Sequence, residues 1–381
     1  MKSAPRGKKH ANPRWRGALS VWLTRRWQRR KLAFALLPLA PLAFLFACLA
    51  ALRRALYRVG WLSSVTLPVP VIVVGSLTVG GAGKTPLTLC IAQFLQASGF
   101  CPGILSRGYG CVRGAAAPRP VFPHSDPAEV GDEPVLLALR GKMPVWVGRD
   151  RAATGAALLE NCPGVNVLIC DDGLQHLRLR RDVEIAVFDG CGAGNGHLLP
   201  LGPLREPLSR LAGTDALVFN GAPDARVSRA GGASFDMRLL PGMFYRLDKP
   251  EIRCAAEALA PKTLRALAGI GHPERFFRTL EQMGLKFSAH VFPDHHAYRS
   301  GDLTFLPGEA LLMTEKDGVK CARFCAHPGM PEIWALPVTA ELPPTFFNLL
   351  LEKLKWTQNS STSSSAPSAK ATCCTRKSNR N

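Results

Sequence analysis

A β-branched run, a glycine-rich turn and an apolar-striped helix follow one another in residues 69–99, VPVIVVGSLTVGGAGKTPLTLCIAQFLQASG, and few folds accommodate that order. Val69 to Val74 reads as a strand buried on both faces. Leu87, Cys90, Ile91, Phe94 and Leu95 recur at helical spacing, and Gly99 stands where a helix C-terminus favours glycine. Between them lie Thr78, Val79, Gly80, Gly81, Ala82, Gly83, Lys84 and Thr85. Such a turn lets backbone N–H groups converge on an anion with no Cβ in the way, and the helix N-terminus behind it adds partial positive charge. Lys84 is then expected to reach terminal phosphates and Thr85 to ligate Mg2+. The usual pattern begins with glycine where this chain has Thr78, so the alternative is a tight turn with a chance lysine. The strand and helix on either side favour a nucleoside triphosphate site, with ATP and Mg2+ as its occupants.

Charge and hydropathy suggest where that site works. The net charge is +20, and Lys and Arg recur from Lys2 to Lys31 without a single Asp or Glu. A head of this kind suits nucleic acid or a membrane surface. The next stretch, LAFALLPLAPLAFLFACLAAL from Leu32 to Leu52, separates the two, because as a helix it would run about 30 Å, the thickness of a hydrocarbon core. Basic residues beside an apolar helix favour a membrane, and no nucleic-acid motif occurs elsewhere. Pro38 and Pro41 predict a bend, and Arg53, Arg54 and Arg58 put basic flanks at both ends, against a simple span. A helix or bent helical pair inserted from the cytoplasmic face fits best, with a buried core helix as the alternative. The 12 cysteines include no C-x-x-C pair, which leaves reduced cytosolic thiols as the expectation.

Further along, strands and helices alternate. GILSRGYG, from Gly103 to Gly110, reads as a strand end and ligand loop, with Arg107 and Tyr109 either contacting substrate or lying on a surface turn. Val130-Gly131-Asp132-Glu133-Pro134 opens a helix, where capping alone would explain both acids. Val165 to Cys170 is an apolar strand ending in Asp171-Asp172, the position from which a carboxylate holds Mg2+ beside a phosphate loop. Gln175 and His176 follow at the same edge. Val183 to Phe188 is a third strand, and the Gly/Pro-rich stretch after it carries Arg205 and Glu206, a phosphate-neutralising arginine and a metal-directed acid, or else a plain ion pair. The alternation predicts an α/β fold with a mostly parallel sheet and sites at the strands' carboxyl ends.

The segments VPVIVVGSLTVGGAGKTP, LSRGYG, GDEP, DDGLQH, GNGHLLPLGPLREP, AGIGHPERFF, FPDHH and LMTEKDGVKC occur in this order, and together they resemble the tetraacyldisaccharide 4'-kinase family of lipid A synthesis over roughly Leu36 to Leu354. The resemblance implies a P-loop kinase that moves the γ-phosphoryl group of ATP to the 4'-hydroxyl of an acylated glucosamine disaccharide 1-phosphate, giving the 1,4'-bisphosphate. It implies that Lys84 and Thr85 bind phosphates and Mg2+, with Asp171, Asp172 and Glu206 around the metal. It also implies that Asp132 accepts the sugar hydroxyl proton, oriented by His295, with Arg205 at the transferred charge. Arg107, Tyr109, Gln175 and His176 are the candidate substrate contacts. The cytoplasmic face of the inner membrane is the expected location, with no nucleic acid and no obligate protein partner. The rival readings are a membrane-associated P-loop ATPase switch acting on proteins and, more remotely, a basic nucleic-acid-binding ATPase. The expected organisation is a disordered head over 1–31, a membrane-associating segment over 32–60, a P-loop core over 61–228, a linker over 229–262, a smaller α/β domain over 263–355 and a disordered Ser-rich tail over 356–381.

Overall fold

The structure is a computed structural model that describes residues 22–108, 117–303, 309–325 and 329–362, with side chains up to residue 355. Strand β1, Val71–Gly75, is buried along its whole length because both of its faces are covered. Ile72 and Val74 join one apolar cluster, and Val71 and Val73 the other. Flanking it are β5, Val167–Asp171, and β6, Val183–Asp189, both parallel to β1. The sheet extends through β2 (Pro102–Ser106), β4 (Val145–Val147) and β3 (Arg119–Val121) on one side. On the other it extends through β7 (Ala216–Asn220), β8 (Ala233–Pro241) and β15 (Val338–Glu341), making nine strands. Only the edge strands β3 and β15 run antiparallel to their neighbours. The carboxyl ends of the central strands therefore open on one edge, where α/β sheets bind ligands.

A second sheet has six strands in the order β10-β9-β14-β13-β11-β12. These are β9 (Phe244–Arg246), β10 (Arg253–Cys254), β11 (Thr263–Ala268), β12 (Phe287–Val291), β13 (Glu309–Thr314) and β14 (Glu332–Leu336). Residues 229–262, expected as a linker, are divided between the two sheets: β8 is parallel to β7, whereas β9 and β10 belong to the smaller sheet. The chain also returns. After β14 it crosses at Pro337 into β15, and the helix Pro344–Thr362 packs Phe346, Leu350 and Leu354 into the core of the large sheet. The expected C-terminal domain thus ends at β14. The helix runs past Trp356, where a disordered tail was expected to begin. The N–H of Gly242 donates to the Pro337 carbonyl at 2.9 Å, so the two crossings lie side by side.

At the other end a 3-10 turn, Phe34–Leu39, leads into the helix Ala40–Arg58. Pro38 lies in the turn and Pro41 in the first helical turn, where a missing N–H costs little. Only 11% of the most apolar window in this segment is buried. Leu36 and Ala43 pack on Leu201, while Phe44, Leu45, Leu49 and Leu52 face outward. An unpartnered apolar face of this size departs from the core-helix alternative. The expected disordered head is helical at its end: residues 22–27 form a helix, and Trp27 Nε1 donates to the Pro200 carbonyl at 3.1 Å.

Candidate active site

The phosphate loop is held from both sides. Gly83 stands before the helix Lys84–Ala97 at φ 94°, and a Cβ there would lie 2.9 Å from Asn220 Nδ2. Glycine is required by backbone and space alike. Asn220 Nδ2 donates to the Ala82 carbonyl at 3.3 Å. On the far side Thr78 bridges Leu204, and the Val79 N–H donates to the Pro203 carbonyl at 3.0 Å. The stretch 190–207 is therefore the wall that shapes the loop. Thr78 is buried with its hydroxyl 2.9 Å from that of Ser76, and it does not take the left-handed conformation, so this position needs no glycine.

The strand-end acids play unlike parts. Lys84 Nζ and Arg205 Nη1 each lie 3.1 Å from Asp172 Oδ1. Burial works against ionised Asp172, but these two charges outweigh it and bring its pKa down to about 2. Asp171 points inward and accepts from Thr88 Oγ1 at 3.0 Å. Burial, reinforced by the Glu133 and Asp172 charges, pushes it up to about 7. Glu206 accepts from Gln175 Nε2 at 3.2 Å and from Arg54 Nη1 at 3.3 Å, with Arg210 Nε at 3.7 Å. Thr85, Asp171, Asp172 and Glu206 were expected to surround a metal. Among the described residues no group of three or more acids, histidines or cysteines is gathered to hold one. Instead Asp172 is paired with Lys84 and Arg205, and Glu206 with Gln175, Arg54 and Arg210. The donor set still suits Mg2+, which takes few protein oxygens and completes its shell from phosphates and water, and the surplus negative charge around Asp171 is what a cation would relieve.

Asp132 and His295 come from different sheets and meet. His295 Nδ1 lies 3.1 Å from Asp132 Oδ2. Asp132 opens the helix Asp132–Gly141 and is 5% exposed, which plain capping does not require; its Oδ1 accepts from the Glu133 N–H. Burial raises its pKa, but the His295 hydrogen bond and the Lys316 and Lys320 charges bring it below the usual carboxylate range. Burial disfavours the His295 cation, and the Asp132 hydrogen bond outweighs this and raises its pKa. Glu133 couples electrostatically to Asp171 and accepts from Lys316 Nζ at 3.0 Å, so it stands between the strand-end acids and the Asp132–His295 pair.

Arg107, Gln175 and His176 lie on this same edge, and Tyr109 falls outside the described residues. Burial, then the Arg151 and Arg107 charges, bring His176 down to about 4 and keep it neutral. Arg151 went unnoticed in the sequence, where it reads only as the start of the helix Arg151–Asn161. Its side chain is 1% exposed, its Nη1 donates to the Gly148 carbonyl, and its Nε and Nη2 have no hydrogen-bond partner among the described residues. A second unanticipated residue is His272, read from sequence as part of a simple turn. Its Nε2 lies 3.5 Å from Asp189 Oδ2 and 3.6 Å from where a Cβ on Gly80 would be. The motif AGIGHPERFF marks the position of His272, but the neighbours of both residues lie on elements far away in sequence.

A phosphate loop at the edge of a parallel sheet, with a buried carboxylate–histidine pair across the cleft, defines a P-loop phosphotransferase. A model of the family described as tetraacyldisaccharide-1-P 4'-kinase matches residues 35–355. Tetraacyldisaccharide 4'-kinase of Dechloromonas aromatica is 55% identical over 343 residues, covering 89% of this chain and 99% of that protein. The protein of the same name from Chromobacterium violaceum is 50% identical over 320 residues, covering 83% and 93%. The crystal structure of apo-form LpxK from Aquifex aeolicus in complex with ATP superposes with a TM-score of 0.71 at 30% identity, over 84% of this chain and all of that one. The chain belongs to the tetraacyldisaccharide-1-P 4'-kinase family. That membership does not favour the ATPase-switch alternative.

Proposed function

We propose that this chain transfers the γ-phosphoryl group of ATP to the 4'-hydroxyl of a tetraacylated glucosamine disaccharide 1-phosphate, working at the cytoplasmic face of the inner membrane. One observation carries the reading of the site: Asp132 and His295, joined at 3.1 Å, meet across the two sheets beside the edge that bears the phosphate loop. Lys84 and the N–H groups of residues 78–85 cradle the β- and γ-phosphates. Asp171 would hold Mg2+, which when bound offsets phosphate charge, with Thr85, Asp172 and Glu206 as the further proposed oxygen donors. Asp132 accepts the proton of the 4'-hydroxyl as its oxygen bonds to the γ-phosphorus and the bridging oxygen leaves with ADP. Arg205 faces the charge that spreads over the transferred group. The Arg151 guanidinium, tied by Nη1 to the Gly148 carbonyl but with Nε and Nη2 unsatisfied, and Arg107 beside neutral His176 are the groups suited to the substrate's own phosphate. Phe44, Leu45, Leu49 and Leu52 enter the bilayer from one face and bring the cleft to the acylated substrate.

Transfer of labelled phosphate from ATP to the purified acylated disaccharide in detergent tests the reaction, and absence of product with Mg2+ present overturns it. Asp132→Ala should lower turnover by about 10²–10⁴-fold and leave ATP binding intact. An equal loss of ATP affinity would assign Asp132 to the nucleotide instead.

A further inference from the structure

The helix Glu315–Cys321 follows β13 and presents Lys316 and Lys320 to the Asp132–His295 pair from the second sheet. Its start is fixed: the Asp317 N–H donates to Thr314 Oγ1 at 3.2 Å, and Thr314 Oγ1 donates to Asp317 Oδ2 at 2.7 Å. Lys316 Nζ lies 3.0 Å from Glu133 Oε1, 3.7 Å from Asp294 Oδ1 and 3.5 Å from His295 Nε2. The last contact is long, and as a hydrogen bond it runs one way only, from the ammonium group to an unprotonated Nε2. On the opposite side of the ring an ionised Asp132 only accepts, so Nδ1 carries the proton. Both neighbours demand the same tautomer.

Asp294 pulls the other way. Its Oδ1 lies 3.8 Å from His295 Nε2, where it would welcome a second proton on the ring. A doubly protonated ring holds Asp132 as the partner of a full cation and makes it a poorer base. Lys316 occupies the space between, pairing Asp294 and turning its own N–H toward Nε2. Burial disfavours the Lys316 charge, but Glu133, Asp132 and Asp294 outweigh it and raise its pKa, so the group remains a donor at working pH. On the Asp132 side, Lys320 Nζ is 3.8 Å from Asp132 Oδ2 and 2.8 Å from Asp317 Oδ1. His296 Nε2 lies 3.1 Å from Asp302. Asp126, Tyr298 and Arg323 line the cavity on the open side.

We propose that Lys316 is a positioning residue for the transfer: its ammonium group beside Nε2 opposes the second proton that Asp132 and Asp294 favour on His295, and so biases the ring toward the neutral, Nδ1-protonated form that leaves Asp132 aligned as an effective base. This rests on Asp132 being the proton acceptor. Because Lys316 also grips Glu133 on the opposite sheet, the tautomer is set only when the two sheets are together.

The test uses the full-length protein in detergent, with Lys316→Met and Lys316→Arg. Lys316→Met should lower kcat near pH 7 at least about tenfold, leave the KM for ATP within about twofold, and move the acid limb of the kcat profile to higher pH. Lys316→Arg should keep the limb near its wild-type position. A Lys316→Met loss that is equal at every pH, or no loss, overturns the proposal. Nitrogen-15 spectra of histidine-labelled protein near pH 9, with His295→Gln for assignment, read the tautomer without turnover. Nδ1-protonated His295 in wild type that becomes mixed or doubly protonated in Lys316→Met supports the proposal, and an Nε2-protonated ring in wild type overturns it. Full turnover in Asp132→Ala would retire the base assignment separately, because the spectra do not depend on it.

Discussion

Replacing Asp171 with asparagine should make the nucleotide-free protein less sensitive to alkaline pH. The native carboxyl titrates near 7 because it is buried and faces the Glu133 and Asp172 charges, whereas the unfolded chain ionises it near 3.8. Between those values the native state binds more protons, so stability falls as pH rises through the window. Going from about pH 5 to pH 8, this one group costs the wild type about 2–3 kcal/mol. Asparagine keeps the shape and can still accept from Thr88 Oγ1, but it carries no charge to repel its neighbours. Urea unfolding of both proteins at both pH values, with a chelator present, gives four free energies. In the variant-minus-wild-type difference the titrations of groups remote from Asp171 cancel, and that difference should grow by about 2–3 kcal/mol toward alkaline pH. A difference that stays constant would refute the reasoning, since it would mean that Asp171 changes charge outside this range. The same variant should lose cation-dependent turnover, which is what makes the unfavourable charge worth keeping.

Gly83→Ala forces a left-handed backbone on alanine and drives its Cβ to 2.9 Å from Asn220 Nδ2, so the loop should shift. ATP affinity should fall about tenfold or more, with about 1–2 kcal/mol lost in stability, measured by calorimetry and urea unfolding. His272→Ala removes the side chain beside Gly80, and steady-state kinetics should show a higher KM for ATP with the lipid KM unchanged. A change confined to the lipid KM would place His272 elsewhere. Leu45→Lys with Leu49→Lys puts two charges on the exposed face of the N-terminal helix and should abolish sedimentation with anionic vesicles while activity in detergent persists.

What could be read from the chain alone was local. The apolar run 71–75, the glycines at 80, 81 and 83, and the acids ending β5 announce themselves within a few residues, because strand burial, turn conformation and helix capping act over that range. Asp132 and His295 were each recognisable from their own motifs, but their contact spans 163 positions and needed the fold. The error over 229–262 has the same origin. The exposed alternation of Ser234 to Leu240 looks like a stray hairpin until β15 returns to pair antiparallel with β8. His272 and Lys316 lie within the motifs AGIGHPERFF and LMTEKDGVKC and Arg151 at a helix start, but the partners that give each its meaning stand on other elements.

That return of the chain bears on how the site works. The two crossings between the sheets run together at Gly242 and Pro337, so the covalent tie lies along one edge and leaves the rest of the interface to side chains. Across it stand Lys316 with Glu133, Arg140 with Glu315, and Arg275 with Asp189. Glu315 and Asp189 are the buried members of these pairs, Val319 adds apolar packing beside them, and the pairs that remain partly exposed contribute little net stability. ATP must pass between the turn that bears His272 and the loop that bears Gly80, and the acyl sugar must reach Asp132. A cleft closed by ion pairs can admit both and still bring Asp132 against His295, whereas an apolar seam of the same extent would have to expose its core to open. Under the proposed function, the charge on Glu133, placed between the strand-end acids and Lys316, is where nucleotide binding would bear on the alignment of the base.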